Sequence, residues 1–323
     1  METVFLDLLP NSLVLGLGVV FGLLCGSFLN VVIYRLPRGL SLAYPGSQCP
    51  HCGTKIAPYD NVPVLAYLWL AGRSRCCHQK ISVRYPLVEL IGGLAAGAVV
   101  TMKLLPYRHE LTLLQAGGLF WLYLALALGL IAAAAIDLEH MILPDSLTWG
   151  GMLLGLLSSP LRSEVTLIES ALGAALGFVG LWFLFIWLHQ KLRGFPGMGL
   201  GDAKLMALAG AWFGPWGALL TLFGGALQGT LVTAATLLWH GKITEPRAVT
   251  AQREELLAAI ESAEGDAKQA LLQELHADPL GLPPDEAPGG ARVAFGPFLV
   301  LTLLELLFFY EPLRSLVRAQ FLL

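Results

Sequence analysis

Two long apolar runs of the chain are joined by the stretch Gly197-Met198-Gly199-Leu200-Gly201-Asp202-Ala203-Lys204. Glycine permits positive φ and the close approach of another backbone, so three alternating glycines indicate a tight turn. An ionisable group beside apolar sequence of membrane length is costly to retain, which makes Asp202 a candidate functional residue. The alternative is a glycine-rich turn in which Asp202 caps the N-terminus of the following helix.

The composition of the chain is that of a membrane protein. Of its 323 residues, 56% are hydrophobic and 13% are charged, and the mean hydropathy is +0.68, whereas soluble domains carry about 25% charged residues. The net charge of −3 and the lack of a basic cluster exclude a nucleic-acid partner. The N-terminus has no positive region of the kind that precedes a cleavable signal sequence, so we expect the first apolar run to be a retained span. The sequence predicts an all-α polytopic membrane protein in the lipid bilayer.

The apolar runs give the number of spans, since a transmembrane helix needs roughly 20 apolar residues. We predict eight spans, with seven as the alternative, at 12–34, 87–105, 116–136, 146–160, 167–189, 203–215, 217–239 and 293–311. The sixth span is short and interrupted by glycine. We expect it to tilt, or to end at Gly214-Pro215, because proline cannot continue a regular helix.

The distribution of Lys and Arg gives the orientation, because cytoplasmic loops are enriched in both. Segment 35–86 contains seven of these residues against a single acid, Asp60, so we place this segment in the cytoplasm. Alternation of the spans then puts Asp137, which ends the third span, and Asp202, which begins the sixth, on the same face of the membrane. The nearby Asp145 follows a proline at the start of a span, and we interpret it as a helix N-cap.

Two aspartates on one face can form a catalytic pair. Facing carboxylates share one proton, because like charges a few ångströms apart do not both ionise. The ionised carboxylate can then activate a water molecule for attack on a peptide carbonyl, and the protonated one can stabilise the oxyanion. The sequence therefore predicts Asp137 and Asp202 as catalytic residues. The alternative functions are a proton-coupled transporter that uses the two aspartates as a relay, and an assembly factor without catalysis.

One polar segment contains four of the five cysteines: Cys49, Cys52, Cys76 and Cys77. The first two form a C-x-x-C pair, which is typical of half of a tetrahedral zinc site. The adjacent second two are a poor match for the other half, because neighbouring side chains diverge. We predict a structural zinc knuckle, with His51 and His78 as substitute ligands and a set of reduced surface thiols as the alternative.

Segment 241–292 differs in composition from the rest of the chain. It holds ten of the 23 acidic residues, and its leucines recur at helical spacing. We expect two short amphipathic helices separated by Gly265, followed by a flexible linker from Pro279 to Gly290. A small solvated helical hairpin explains this pattern, and a docking surface for a partner is the alternative.

Several motifs in this order resemble those of the bacterial type IV prepilin peptidases, also called prepilin leader peptidase/N-methyltransferases. Beside the cysteine segment, the matching stretches are Gly26-Ser27-Phe28-Leu29-Asn30, Arg35-Leu36-Pro37, Tyr59-Asp60-Asn61-Val62-Pro63, Ile81-Ser82-Val83-Arg84-Tyr85-Pro86, Ile136-Asp137, Leu143-Pro144-Asp145, Gly197-Met198-Gly199-Leu200-Gly201-Asp202-Ala203-Lys204 and Phe295-Gly296-Pro297-Phe298. The resemblance covers nearly the whole chain except 241–292.

The resemblance implies an intramembrane aspartic protease of the glycine–aspartate type. Such a protease removes the short basic leader of type IV prepilin or pseudopilin precursors at the cytoplasmic face of the bacterial inner membrane. Asp137 and Asp202 fall at the catalytic positions of the family. Its bifunctional members then methylate the new N-terminal amine with S-adenosyl-L-methionine, an activity that is associated with the segment corresponding to 35–86.

The resemblance also implies that four cysteines of that segment bind zinc, Zn(2+). The family pattern is C-x2-C, 21 residues, and a second C-x2-C. In this chain Cys49, Cys52 and Cys77 match the pattern, Ser74 stands at the third position, and Cys76 is extra. This departure leaves the fourth zinc ligand, and with it methylation, open.

These expectations divide the chain into five parts. They are a first transmembrane helix (1–34), a cytoplasmic cysteine-containing domain associated with methyl transfer (35–86), a transmembrane aspartic protease core (87–240), an acidic cytoplasmic insertion (241–292) and a last transmembrane helix with the C-terminus (293–323).

Overall fold

The computed structural model describes residues 6–162, 165–194, 196–241, 245–277 and 293–321. Eleven α-helices form within these ranges: α1 (Asn11–Arg35), α2 (Leu65–Trp69), α3 (Arg84–Val99), α4 (Leu113–His140), α5 (Asp145–Ser158), α6 (Leu167–Leu181), α7 (His189–Arg193), α8 (Leu200–His240), α9 (Arg247–Ser262), α10 (Gly265–Ala277) and α11 (Gly296–Phe321). The described residues form no β-strand, only two isolated bridges. The predicted all-α class is confirmed.

Short helical turns of other types extend or connect these helices. The π-helical turns Val100–Leu104 and Trp182–Leu188 continue α3 and α6. The 3-10 turns are Leu6–Leu8, Leu36–Arg38, Pro58–Asn61, Leu105–Tyr107 and Ser159–Leu161.

Among the described residues, five helical segments are long and apolar enough to cross a membrane: Asn11–Arg38, Arg84–Tyr107, Leu113–His140, Leu167–Arg193 and Leu200–His240. Two shorter helices complete the pattern, namely α5 with 14 residues and the apolar Gly296–Tyr310 part of α11. Each predicted span therefore falls on a helix, with the sixth and the seventh sharing α8. The protein is a multi-pass membrane protein.

Helix α8 is broken where the sequence predicts a break. Gly214 has φ 69° and ψ −172°, and Pro215 follows it. Proline has no N–H, so the carbonyl four residues earlier, that of Ala211, loses its helical partner. The Ser170 hydroxyl donates to this carbonyl over 2.5 Å, and the Arg162 guanidinium donates to the carbonyls of Ala211 and Trp212 over 3.3 and 2.7 Å. Buried donors thus replace the hydrogen bonds that the break removes.

The chain forms two compact units, Met1–Ala132 with Leu304–Leu323, and Ala133–Leu303. Within the first unit, α1 packs on α3 at glycines: a Cβ at Gly26 would lie 2.8 Å from the Cα of Glu89. Within the second unit, α6 meets α8 in the same way, and the backbones touch at Gly173 and Gly210. Small residues allow such close contact between membrane helices. Both candidate aspartates belong to the second unit, and the four clustered cysteines belong to the first.

The acidic segment forms the two predicted helices, α9 and α10. Gly265, with φ +59°, begins the second of them. Glu245 and Arg253 form an ion pair of 2.7 Å that orders the start of this hairpin, and both side chains are buried. The predicted linker from Pro279 to Gly290 lies outside the described residues.

Candidate active site and cysteine cluster

Asp137 lies in the last turn of α4 and is only 5% exposed. The backbone amide of Gly296, the first residue of α11, donates a hydrogen bond to its carboxylate. The two groups are in close contact, because a Cβ built on Gly296 would lie 2.5 Å from Oδ2 of Asp137. A buried carboxylate needs such a donor, since it would otherwise lose its hydration without compensation.

Asp202 is the third residue of α8 and is partly exposed. Gly199 is the N-cap of the helix, and its backbone N–H donates to the Asp202 carboxylate over 3.3 Å. Asp202 therefore helps to cap the helix from the first turn, but it is not the N-cap residue itself. The first turn of a helix favours a negative charge, because the backbone N–H groups there have no partner within the helix and carry partial positive charge.

The two carboxylates lie near each other although they are far apart in sequence. Asp202 lies close enough to Asp137 for their negative charges to repel each other. Leu143, in the loop between α4 and α5, lies next to the start of α8 and next to the start of α11. A Cβ at Gly201 would lie 3.0 Å from the Leu143 Cβ, and one at Gly296 would lie 3.3 Å from the Leu143 Cδ1. The ends of three helices therefore converge on one acidic pair.

A neighbouring ion pair links two of these helix ends. Asp145 is the first residue of α5, whereas the N-cap is Pro144 and no side chain caps the helix. The N-cap interpretation of Asp145 is therefore wrong. Its carboxylate instead pairs with the Nζ of Lys204, two residues beyond Asp202. Lys204 is the fifth residue of α8, near the positive end of the helix dipole, so the carboxylate partner compensates for the placement of a cation there.

The four clustered cysteines lie together in the first unit. All four sulfur atoms are within 4.8 Å of one another. The Sγ atoms of Cys49 and Cys77 are 3.7 Å apart, and those of Cys52 and Cys76 are 3.3 Å apart. Tetrahedral zinc with Zn–S bonds of about 2.3 Å separates its sulfur atoms by roughly 3.8 Å. The donor set and its spacing therefore fit zinc, and the expectation that Cys76 and Cys77 diverge is wrong.

Two turns with the same backbone pattern carry the four sulfur atoms. In the first, Cys49 N–H donates to Thr54 O and Gly53 N–H to Cys49 O. In the second, Ser74 N–H donates to Gln79 O and His78 N–H to Ser74 O. Ser74 thus occupies the place of Cys49, and Cys77 occupies the place of Cys52. Cys76 corresponds to His51, so the fourth sulfur comes from a different position of the same turn.

Polar contacts hold the second turn in place. Arg75 donates two hydrogen bonds of 2.8 Å to the Asp60 carboxylate, and this contact lowers the pKa of Asp60. The Ser74 hydroxyl lies 3.0 Å from the Cys77 Sγ. Across the cluster, hydrogen bonding with Thr54 lowers the pKa of the Cys52 thiol to about 6, and thiolate is the form that binds metal.

Three features of the acidic site are not predicted from the sequence. Gly296 is part of a matching motif but has no predicted role, Leu143 has none beyond its motif, and the pairing of Lys204 with Asp145 is not predicted. No local pattern signals these contacts, because each joins elements that are distant along the chain.

Comparisons with known proteins identify two family regions in the chain. Residues 20–103 match the model of the bacterial peptidase A24 N-terminal domain, and residues 124–234 match that of the type IV leader peptidase family. A prepilin leader peptidase/N-methyltransferase of Pectobacterium carotovorum subsp. carotovorum is 40% identical over 259 residues, which cover 73% of this chain and 87% of the relative. The chain belongs to the type IV leader peptidase family.

Other members of the family give the same result. Relatives with the same name from Klebsiella pneumoniae and Pseudomonas putida are 45% and 41% identical, over 61% and 67% of this chain and 84% and 78% of their own lengths. No solved structure matches the chain. Asp137 and Asp202 lie inside the matched peptidase region, and the cysteine cluster lies inside the matched N-terminal domain. Gly296 and the acidic hairpin lie outside both matched regions.

Proposed function

We propose that this enzyme cleaves the leader from type IV prepilin or pseudopilin precursors with Asp137 and Asp202 as its catalytic pair, and then N-methylates the new N-terminus. The observation that carries the proposal is the convergence of two carboxylates at the ends of α4 and α8. The family supports the substrate, because its named members are prepilin leader peptidase/N-methyltransferases. The transporter alternative finds no support in these relatives.

The pair can hydrolyse a peptide bond without a metal or a covalent intermediate. Two adjacent carboxylates hold one proton between them. The ionised one accepts a proton from water while the water oxygen attacks the scissile carbonyl carbon, and the protonated one donates a hydrogen bond to the developing oxyanion. The proton taken from water passes to the leaving amide nitrogen, and the C–N bond breaks. The leader then leaves with a new carboxylate and the mature chain with a new amine.

We propose that the reaction takes place at the cytoplasmic face of the bacterial inner membrane. The surplus of Lys and Arg in 35–86 supports this orientation, because positive loops remain on the cytoplasmic side. Each aspartate lies within a turn of a helix end rather than at mid-helix. Water, which a hydrolase requires, can reach the pair from the side of Asp202, because Asp202 is partly exposed whereas Asp137 is buried.

We further propose that Cys49, Cys52, Cys76 and Cys77 hold a structural zinc ion. The convergence of the four sulfur atoms supports this ligand set. Zinc would fix the two turns against each other and so order the segment that the family associates with methyl transfer. S-adenosyl-L-methionine supplies the methyl group in that reaction, and the amine released by cleavage accepts it.

The test of the peptidase is removal of one carboxylate at a time. Asp137→Asn and Asp202→Asn each keep the side-chain size but remove the charge, so we expect each to insert normally and to lose precursor cleavage. The assay incubates each purified protein with a pilin-like precursor and determines product masses. Asp266→Asn, on the acidic hairpin, is the matched control and retains cleavage. Full activity of either site variant would remove the pair from the mechanism.

A further inference from the structure

We propose that the start of α11, at Gly296, is a positioning element for the Asp137 carboxylate. The Gly296 amide binds this carboxylate, and the missing side chain leaves room for it. The inference rests on the proposed role of Asp137 in cleavage. It adds a residue that lies outside the matched peptidase region of the chain.

The Gly296 N–H, at the start of α11, has no hydrogen-bond partner within its own helix. The first N–H groups of a helix have no partner within the helix. The first hydrogen bonds of α11 go to the Phe295 carbonyl, which accepts them from the N–H groups of Phe298 and Leu299 over 3.1 and 3.4 Å. Pro297 has no N–H, and its fixed φ suits the start of a helix. The Gly296 amide therefore remains available to Asp137, which accepts it.

Glycine is required at position 296 because a side chain there would clash with the Asp137 carboxylate. Gly296 is not among the residues with positive φ, so its backbone suits other amino acids. A Cβ on Gly296, however, would lie 2.5 Å from Oδ2 and 3.1 Å from Cγ of Asp137. The carboxylate is buried, so its side chain cannot swing into open solvent. Any side chain at this position would therefore displace the carboxylate from its place beside Asp202.

Gly201 provides a contrasting case at the same site. A Cβ on Gly201 meets Leu143, at 3.0 Å from its Cβ and 3.2 Å from its Cδ1. Leu143→Ala would remove the Leu143 Cδ1 and Cγ and leave the Leu143 Cβ, which needs to shift by only a few tenths of an ångström. The obstacle at Gly201 can therefore be reduced by a second substitution, whereas the obstacle at Gly296 is the carboxylate itself.

The experiment measures precursor cleavage by Gly296→Ala and Gly201→Ala, each with and without Leu143→Ala. We expect Gly296→Ala to lower kcat by about 100-fold with little change in KM, because small misplacement of a reacting group has effects of that size. Leu143→Ala should restore much of the activity of Gly201→Ala and none of that of Gly296→Ala. Gly150→Ala, at an open position on α5, is the matched control and keeps wild-type kinetics.

Thermal unfolding of each purified variant identifies loss of fold. Retention of wild-type kcat by a folded Gly296→Ala would overturn the proposal, as would its rescue by Leu143→Ala. If Gly296→Ala does not fold alone, the double variant with Leu143→Ala provides the measurement, and wild-type kcat there again overturns it. Asp137→Asn, measured in parallel, tests the underlying function. Loss of cleavage in Asp137→Asn beside a fully active Gly296→Ala would refute the positioning role alone.

Discussion

The aspartate pair and the cysteine cluster differ in how the fold places their reactive atoms. Asp137 and Asp202 come from two long helices, and each carboxylate is fixed by one backbone amide at a helix N-terminus, that of Gly296 or Gly199. The cysteines come from two short turns whose backbone hydrogen bonds are the same. The aspartate pair thus depends on the positions of its residues along two helices, and the cysteine cluster depends on the geometry of two turns.

This difference explains why only one of the two sites departs from the family pattern. The proposed zinc site needs four sulfur atoms at suitable distances, and a turn can present a sulfur atom from more than one of its positions. Cys76 does so in place of Ser74, whose hydroxyl remains beside the cluster at 3.0 Å from Cys77. A carboxylate on a helix has no equivalent second position, because neighbouring residues of a helix point in different directions.

The strongest test of this contrast moves a carboxylate without removing it. Asp202→Glu keeps the charge, and glutamate is well suited to cap a helix from its third position. The helix should therefore remain intact, while the extra methylene displaces the carboxylate. We expect cleavage to fall by about 100-fold, measured as kcat on a pilin-like precursor. If Asp202 served only as a cap, Asp202→Glu would retain full activity.

The next test moves a cysteine within its turn. We expect Cys76→Ser to lower zinc affinity by at least about 10-fold, because serine is a poor zinc ligand and even outer contacts of a metal site have effects of 10- to 100-fold. The double variant Ser74→Cys with Cys76→Ser restores the C-x-x-C spacing, and we expect it to bind zinc like the wild type. The measurement is zinc content per chain after competition with a chelator.

The control for this experiment is Cys25→Ser, which removes the cysteine on α1 that lies outside the cluster. Its zinc content should equal that of the wild type. Equal zinc content in Cys76→Ser and the wild type would contradict the role of Cys76. Cleavage should change less than methylation in Cys76→Ser, because the cysteines and the aspartates lie in different units.

Much of this architecture could be predicted from local sequence. The Gly214-Pro215 pair predicts the break in α8, because proline removes a donor that the helix needs. Gly265 and the leucine spacing predict α9 and α10. The alternating glycines before Asp202 predict a turn followed by a helix. In each case the residues that carry the signal are those that form the feature.

The contacts that complete the sites could not be predicted in this way. The Gly296–Asp137 contact joins the start of α11 to the end of α4, and nothing in either segment specifies the other. The convergence of Cys76 with Cys77 depends on the backbone of their turn, in which His78 adopts φ +55°. The prediction that adjacent side chains diverge failed because it ignored that turn. The Lys204–Asp145 pair also joins two segments that are distant along the chain, and neither segment specifies the other.

The smallest expected effect concerns that ion pair. The Asp145 side chain is 65% exposed, whereas that of Lys204 is 15% exposed, and pairs with one solvated partner contribute about 1 kcal/mol or less. We expect Asp145→Asn and Lys204→Met each to lower cleavage by less than about 10-fold, because Asp137 and Asp202 keep their own backbone donors. The exchanged variant Asp145→Lys with Lys204→Asp should recover part of that loss, measured as kcat/KM beside both single variants. A loss as large as that of Asp202→Glu would instead place Lys204 or Asp145 in direct contact with the substrate, since loss of an exposed ion pair alone has too small an effect to account for it.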